Sequence, residues 1–244
     1  MEIRGLAGNK GISFLEDFAV AKEQRHLLAT GAALIYAYSF YDWTPQTLRI
    51  YPLVMTPERV LEEQWFVHSR EEAERLIEGV LTIGGLGWVG EPVSESRAVI
   101  DERLGKYASG DKSALSEPES AMLEDVLDTM VGYKWEKRRV TQGDLDQVTT
   151  TLAWDIDRAA FIARVAYNCG YFSEKETWAI LERTLKTAQQ AVFPDWLSYA
   201  ISLMKGAAIG KSDSDFAFIS TMWDNICYLP DPKWGEIWSW NPLK

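Results

Sequence analysis

Four charged side chains, Asp155, Asp157, Arg158 and Arg164, fall inside the run Ala153 to Val165, whose other members are all apolar. An ion taken from water into such surroundings costs several kcal/mol unless it is paired. These residues must therefore neutralise one another or hold something else. The guanidinium groups of Arg158 and Arg164 suit a small anionic group, which Asp155 or Asp157 would orient beside Trp154. The competing reading is a structural ion-pair network that cross-links helices. On a helix of 100° per residue, Asp157, Arg164 and Asn168 fall within about 40° of one another, beside Phe161. Asp155 and Arg158 lie three apart on another side, among Ile162, Val165 and Cys169. The charges thus form two groups, one facing one way over two turns, toward a partner helix or a groove, and one set as a pair in the apolar face.

Little else in the chain offers reactive chemistry. Its two histidines, His26 and His68, lie in other segments, so no group near the cluster titrates around neutral pH. Cys169 and Cys227 form no CxxC pair, and no HxxxH spacing or Cys/His cluster occurs, so neither metal nor cofactor is expected. Gly84 to Pro92 has the glycine content of a phosphate loop, but it follows a helix and lacks the Lys-Ser/Thr step, so it reads as a turn. The expectation is a protein that binds without catalysing.

Charge narrows the partner. The 244 residues hold 25 basic and 36 acidic side chains, a net charge of −11, which repels nucleic acid and anionic membrane surfaces and favours a basic protein. Tyr41 and Trp43 are the aromatic residues expected to anchor such a partner. The start Met1-Glu2-Ile3-Arg4-Gly5 carries no secretory pattern. Leu27 to Phe40 falls short of the roughly 20 apolar residues of a membrane span, and two unpaired thiols suit a reducing compartment. Localisation is expected to be cytoplasmic.

The elements that must position the cluster are helices. Apolar spacing predicts one long helix, or two abutting ones, from Phe14 to Tyr38, broken by Asp42-Trp43-Thr44-Pro45. Thr56-Pro57 restarts a helix that ends near Trp65, and Ser69 with Glu72 caps another that stops at Gly84. Ala108 to Pro118 reads as an exposed loop before the capping box Ser116/Glu119. Lys134 to Arg139, the one basic cluster, reads as a solvated helix end. A six-turn helix is expected from Asp144 to Tyr167, stopped at Gly170. Ser173/Glu176 caps the next, which should bury Trp178, Ile180, Leu181 and Leu185. Pro194 or Asp195 starts another, and Asp215 to Tyr228 is the last. The tail from Pro230 holds Trp234, Trp238 and Trp240, which argues for docking on the body. The fold class is all-α, a compact single-domain multi-helix bundle with a docked Trp-rich C-terminal tail.

The run Ala153-Trp154-Asp155-Ile156-Asp157-Arg158-Ala159, followed by Arg164 to Tyr167, Gly170-Tyr171, Ser173 to Trp178, Gln189-Gln190 and Asp195-Trp196, resembles the core of the bacterial domain-of-unknown-function family 1266. The segment Leu61 to Leu81 and the tail Asp231-Pro232-Lys233-Trp234 are similar to the same family. The resemblance starts near Pro52, so residues 1–50 are expected to be an N-terminal helical segment packing on a helical domain of residues 51–244. At Asp157 the chain departs from the family, which shows Gly there, so Asp157 is expected to be surface-exposed or a local specialisation. The resemblance carries no catalytic residues. It implies a cytosolic helical protein whose relatives occur in settings of secreted toxins and interbacterial competition. On that footing the expected function is an immunity or antitoxin protein that masks a basic toxin domain. The alternatives are an enzyme or anionic-ligand domain built on Asp155, Arg158 and Arg164, and a secretion-associated adaptor.

Overall fold

The computed structural model describes residues 20–37, 40–41, 48, 50–52, 55–84, 95–191, 193–210, 216–227, 229–230, 238 and 243. A 3-10 turn, Lys22–Leu28, leads to the short helix α1 (Ala32–Ala37). Of the two arrangements expected for Phe14 to Tyr38, the described part is divided, because Gly31 takes φ +79 and a Cβ there would lie 2.9 Å from Ala160 Cβ. Only glycine combines that backbone with that approach. Strand β1 (Phe40–Tyr41) pairs antiparallel with β2 (Tyr51–Pro52). Thr56 caps α2 (Pro57–Arg59), with Pro57 in the first turn, and the helix runs on as a π turn, Val60–Gln64. Ser69 Oγ accepts the Glu72 N–H to open α3 (Arg70–Thr82). The returning Glu72 carboxylate reaches His68 N–H at 2.7 Å, one residue further back than a capping box requires.

Helix α4 (Arg97–Ala108) is followed by a 3-10 turn, Lys112–Ala114, and then by α5 (Glu117–Met130), whose Ser116/Glu119 capping box is complete. The basic cluster is not a helix end. It forms a hairpin of β3 (Lys134–Trp135) and β4 (Arg138–Arg139), with Glu136 at φ +49. The six-turn helix is also corrected, because α6 (Gln142–Asp146) is separate from α7 (Leu152–Asn168). The β-branched run Val148 to Thr151 divides them: Asp101 accepts the Thr151 N–H at 2.7 Å and the Thr150 hydroxyl at 2.6 Å. Gly170 ends α7 in the left-handed region. Ser173/Glu176 opens α8 (Glu174–Gln190), which buries Leu181 and Leu185 but leaves Trp178 and Ile180 half-buried. Asp195 accepts from Ser198 N–H and Oγ at the start of α9 (Trp196–Gly210), and α10 (Phe216–Ile226) completes the helices described.

Helix α7 is the axis of one all-α body. Helices α3, α8 and α9 pack around it together with α1 and α2, while α5 and α10 pack on α9. Every residue from Ala153 to Ala166 is buried, the behaviour of a helix surrounded by neighbours rather than laid on a surface. The tail docks at Trp238, which is buried, stacks on Trp196 at 5.1 Å and donates its indole N–H to Ala29 O at 2.9 Å. Trp234 and Trp240 lie outside the described residues. Among the described residues no helix is long and apolar enough to cross a membrane.

The start of α6 gives the fold a marker for acid titration. Arg138 hydrogen-bonds the Asp144 carboxylate, burial opposes it only in part, and Thr141 adds two bonds, so the carboxyl is held down at about 2. A depressed carboxyl contributes stability above its unfolded value near 3.8 that is lost as pH falls through 2. Asp144→Asn is therefore expected to cost up to about 2 kcal/mol at pH 7 and almost nothing at pH 2, read from urea unfolding at the two pH values.

Candidate functional site

The two charge groups of α7 separate as the helical spacing requires, and both turn inward. Asp155 is buried between two arginines. Its Oδ1 accepts from Arg158 Nη2 one turn on, and its Oδ2 accepts from Arg97 Nη1 of α4 at 2.7 Å. Arg158 lies with its guanidinium 5.4 Å from the Trp154 ring centroid. This triad explains the turn at Gly84: with φ +61, a Cβ there would collide with both Asp155 Oδ2 and Arg97 Nη1. The carboxylate, the guanidinium and the bare backbone form one packed unit.

Asp157 is fully buried, which corrects the expectation that it could be surface-exposed. It works as a cap for a helix distant in sequence. Oδ1 accepts Gly31 N–H at 2.8 Å and Oδ2 accepts Leu34 N–H at 3.0 Å, satisfying amides of the first turn of α1. Tyr199 of α9 adds its hydroxyl at 3.2 Å. Burial pushes the carboxyl up to about 6 against those three bonds and the field of Arg164. Burial likewise pulls Arg164 down to about 9, opposed by Asp157. The two lie seven residues apart on one face, and each favours the ionised form of the other. Tyr199 is driven well above the usual phenol value by the same burial and the Asp157 charge.

Asn168, the third member of that face, holds the next stretch of the N-terminal segment. Its Oδ1 accepts Ile50 N–H at 3.0 Å, and its Nδ2 donates to Leu48 O at 3.1 Å. Thr30 and Thr184 join hydroxyls at 2.8 Å, so residues 29–34 are held by Trp238, by α8 and by Asp157. The group that faces one way over two turns is thus a set of internal clasps on Gly31, Leu34, Leu48 and Ile50.

Lys205 is the functional-looking residue that the sequence reading missed. It is buried on α9 and donates to Leu145 O at 2.7 Å and Val148 O at 2.6 Å, closing the end of α6. Burial lowers its amine to about 8 against the field of Asp146. The available signal was its standing as the only charge from Trp196 to Gly210. Burial pushes the Cys169 thiol up to about 12 and Cys227 higher still, so neither is a ready nucleophile. Of the two aromatics expected at a partner surface, Tyr41 has its backbone in β1, opposite Tyr51. Its side chain and the whole of Trp43 lie outside the described residues.

The triad, the Asp157 cap and Asn168 together do structural chemistry. They accept and donate along α1, α4 and α9, and the carboxylate oxygens that would orient an anionic ligand already hold internal donors. Comparison with known proteins gives a family-model match described as "Protein of unknown function (DUF1266)" over residues 60–236. No curated protein and no solved structure matches the chain.

Proposed function

The chain belongs to domain-of-unknown-function family 1266, and from that premise we propose that it is a non-catalytic binding protein, most concretely an immunity or antitoxin protein that masks a basic toxin domain in the cytoplasm. The observation that carries this reading is where the charge goes. The four charges of α7 are buried, and among the described residues Asp155 and Asp157 are the only buried carboxylates, the others being exposed or half-buried. Helix α5 is the clearest case: Glu117, Glu124, Asp125 and Asp128 are exposed along it, and it contains no Lys or Arg. Such a surface steers a cationic partner and strengthens encounter at low salt.

Co-expression with the basic products of neighbouring reading frames tests the proposal. The expected result is a stoichiometric complex whose affinity falls by about tenfold or more between low and high salt. Asp125→Lys combined with Asp128→Lys should weaken it more than Arg158→Ala does. A salt-independent complex, or none with any basic candidate, contradicts the proposal. The second of those outcomes shifts weight to a small anion held by Arg158 and Arg164.

A further inference from the structure

Phe66 stands out among the described residues as an aromatic side chain held outside the body by its own backbone. It is 52% exposed, between Trp65 at 3% and Val67 at 0%. The chain reaches this arrangement through the π turn Val60–Gln64, after which Leu61 O accepts the N–H of both Trp65 and Val67. Phe66 is looped out between those two bonds at φ +51, a conformation that bulky L-residues rarely adopt. Relaxed packing would not select phenylalanine for that place, where asparagine or glycine sits with less strain.

Charge around this loop identifies what it would meet. Within the same stretch Arg59 pairs with Glu63, Arg70 with Glu74, and Arg75 lies 3.8 Å from Glu72. Glu58, Glu62 and Glu71 are exposed and have no ion pair among the described residues. The fields of Glu58 and Glu62 reach Cys169 and Tyr171 beyond the end of α7. An exposed ring with exposed carboxylates free of ion pairs before and after it in the chain matches a cationic surface that offers an apolar recess, since aromatic anchors supply binding energy and surrounding charge supplies orientation.

We infer that Phe66, in the same short stretch as the exposed carboxylates of Glu58 and Glu62, is the anchor by which this protein docks a basic protein segment carrying an apolar recess. The inference rests on the reading of the protein as a binder of basic partners and adds an aromatic anchor to it.

The test measures binding of the full-length chain to two probes: an 18-residue amphipathic Leu/Lys peptide, and oligolysine of equal charge. The wild type should bind the Leu/Lys peptide more tightly than oligolysine. Phe66→Asn should weaken the Leu/Lys peptide by about tenfold, the loss of an aromatic anchor, and change oligolysine binding little. Its melting temperature should hold or rise, because asparagine tolerates the left-handed backbone. Glu58→Lys with Glu62→Lys should weaken both probes. Unchanged peptide binding by Phe66→Asn overturns the assignment, and so does a fall of several degrees in melting temperature, which would make Phe66 a packing residue. A toxin complex that forms but is indifferent to Phe66→Asn removes this surface and leaves the proposed function standing. Phe66-dependent peptide binding in a protein with no basic toxin partner does the reverse.

Discussion

Asp157→Ala should lower the free energy of unfolding by about 3–5 kcal/mol at pH 7, because a buried donor left without its acceptor costs about 1–3 kcal/mol and three donors lose theirs. The cause lies on two elements. Gly31 and Leu34 lose the acceptor that satisfies their amides, and Tyr199 loses its hydroxyl partner. Arg164, fully buried, keeps its charge without the Asp157 field that supports it. Urea denaturation measures the loss. A loss below about 1 kcal/mol, the size of an ordinary surface change, would place Asp157 outside the framework.

Gly206→Ala should cost about 3 kcal/mol, at the upper end of the range for overpacking. A Cβ at 206 would run into Trp154 Cβ and lie 2.9 Å from its Cγ. Rotation of the indole gives no relief, because the Trp154 Cβ is fixed by the backbone of α7. Helices α7 and α9 would have to separate, and with them the Tyr199–Asp157 bond and the Trp154–Arg158 stack. Thermal unfolding should shift by several degrees, by roughly 2–4 °C per kcal/mol for a chain of this length. An unchanged melting temperature would show that this crossing has slack.

Local signals were legible where the physics is local. Thr56, Ser69, Ser116 and Ser173 announce helix starts because a cap and its partner amide lie within three residues. The charges in α7 were visible because their neighbours are apolar, and their division into two groups followed from the helical angle. Family membership was legible from the same run. What each charge would hold was not, because the partners of Asp157 are backbone amides some 120 residues earlier, and every residue carries an amide. Arg97, the second base on Asp155, is 58 residues away and reads as an ordinary helix-start arginine. The split between α6 and α7 had a readable cause in the β-branched run at Val148 to Thr151, which helical periodicity alone overrode. The hairpin at Lys134 to Arg139 lacked its usual warning, since the positive φ falls on Glu136 rather than on glycine or asparagine.

If the charged helix is an internal framework that holds Gly31, Leu34, Leu48 and Ile50, amide hydrogen exchange will register it. In the wild type, Gly31 and Leu34 should exchange slowly, as amides bonded to a buried carboxylate. In Asp157→Ala those two should lose protection first and α1 should open locally, with the middle of α8 and α9 still exchanging only through global unfolding. Protection at Gly31 and Leu34 that survives the substitution would contradict the claim and return Asp157, with Arg164, to the residues available for a ligand.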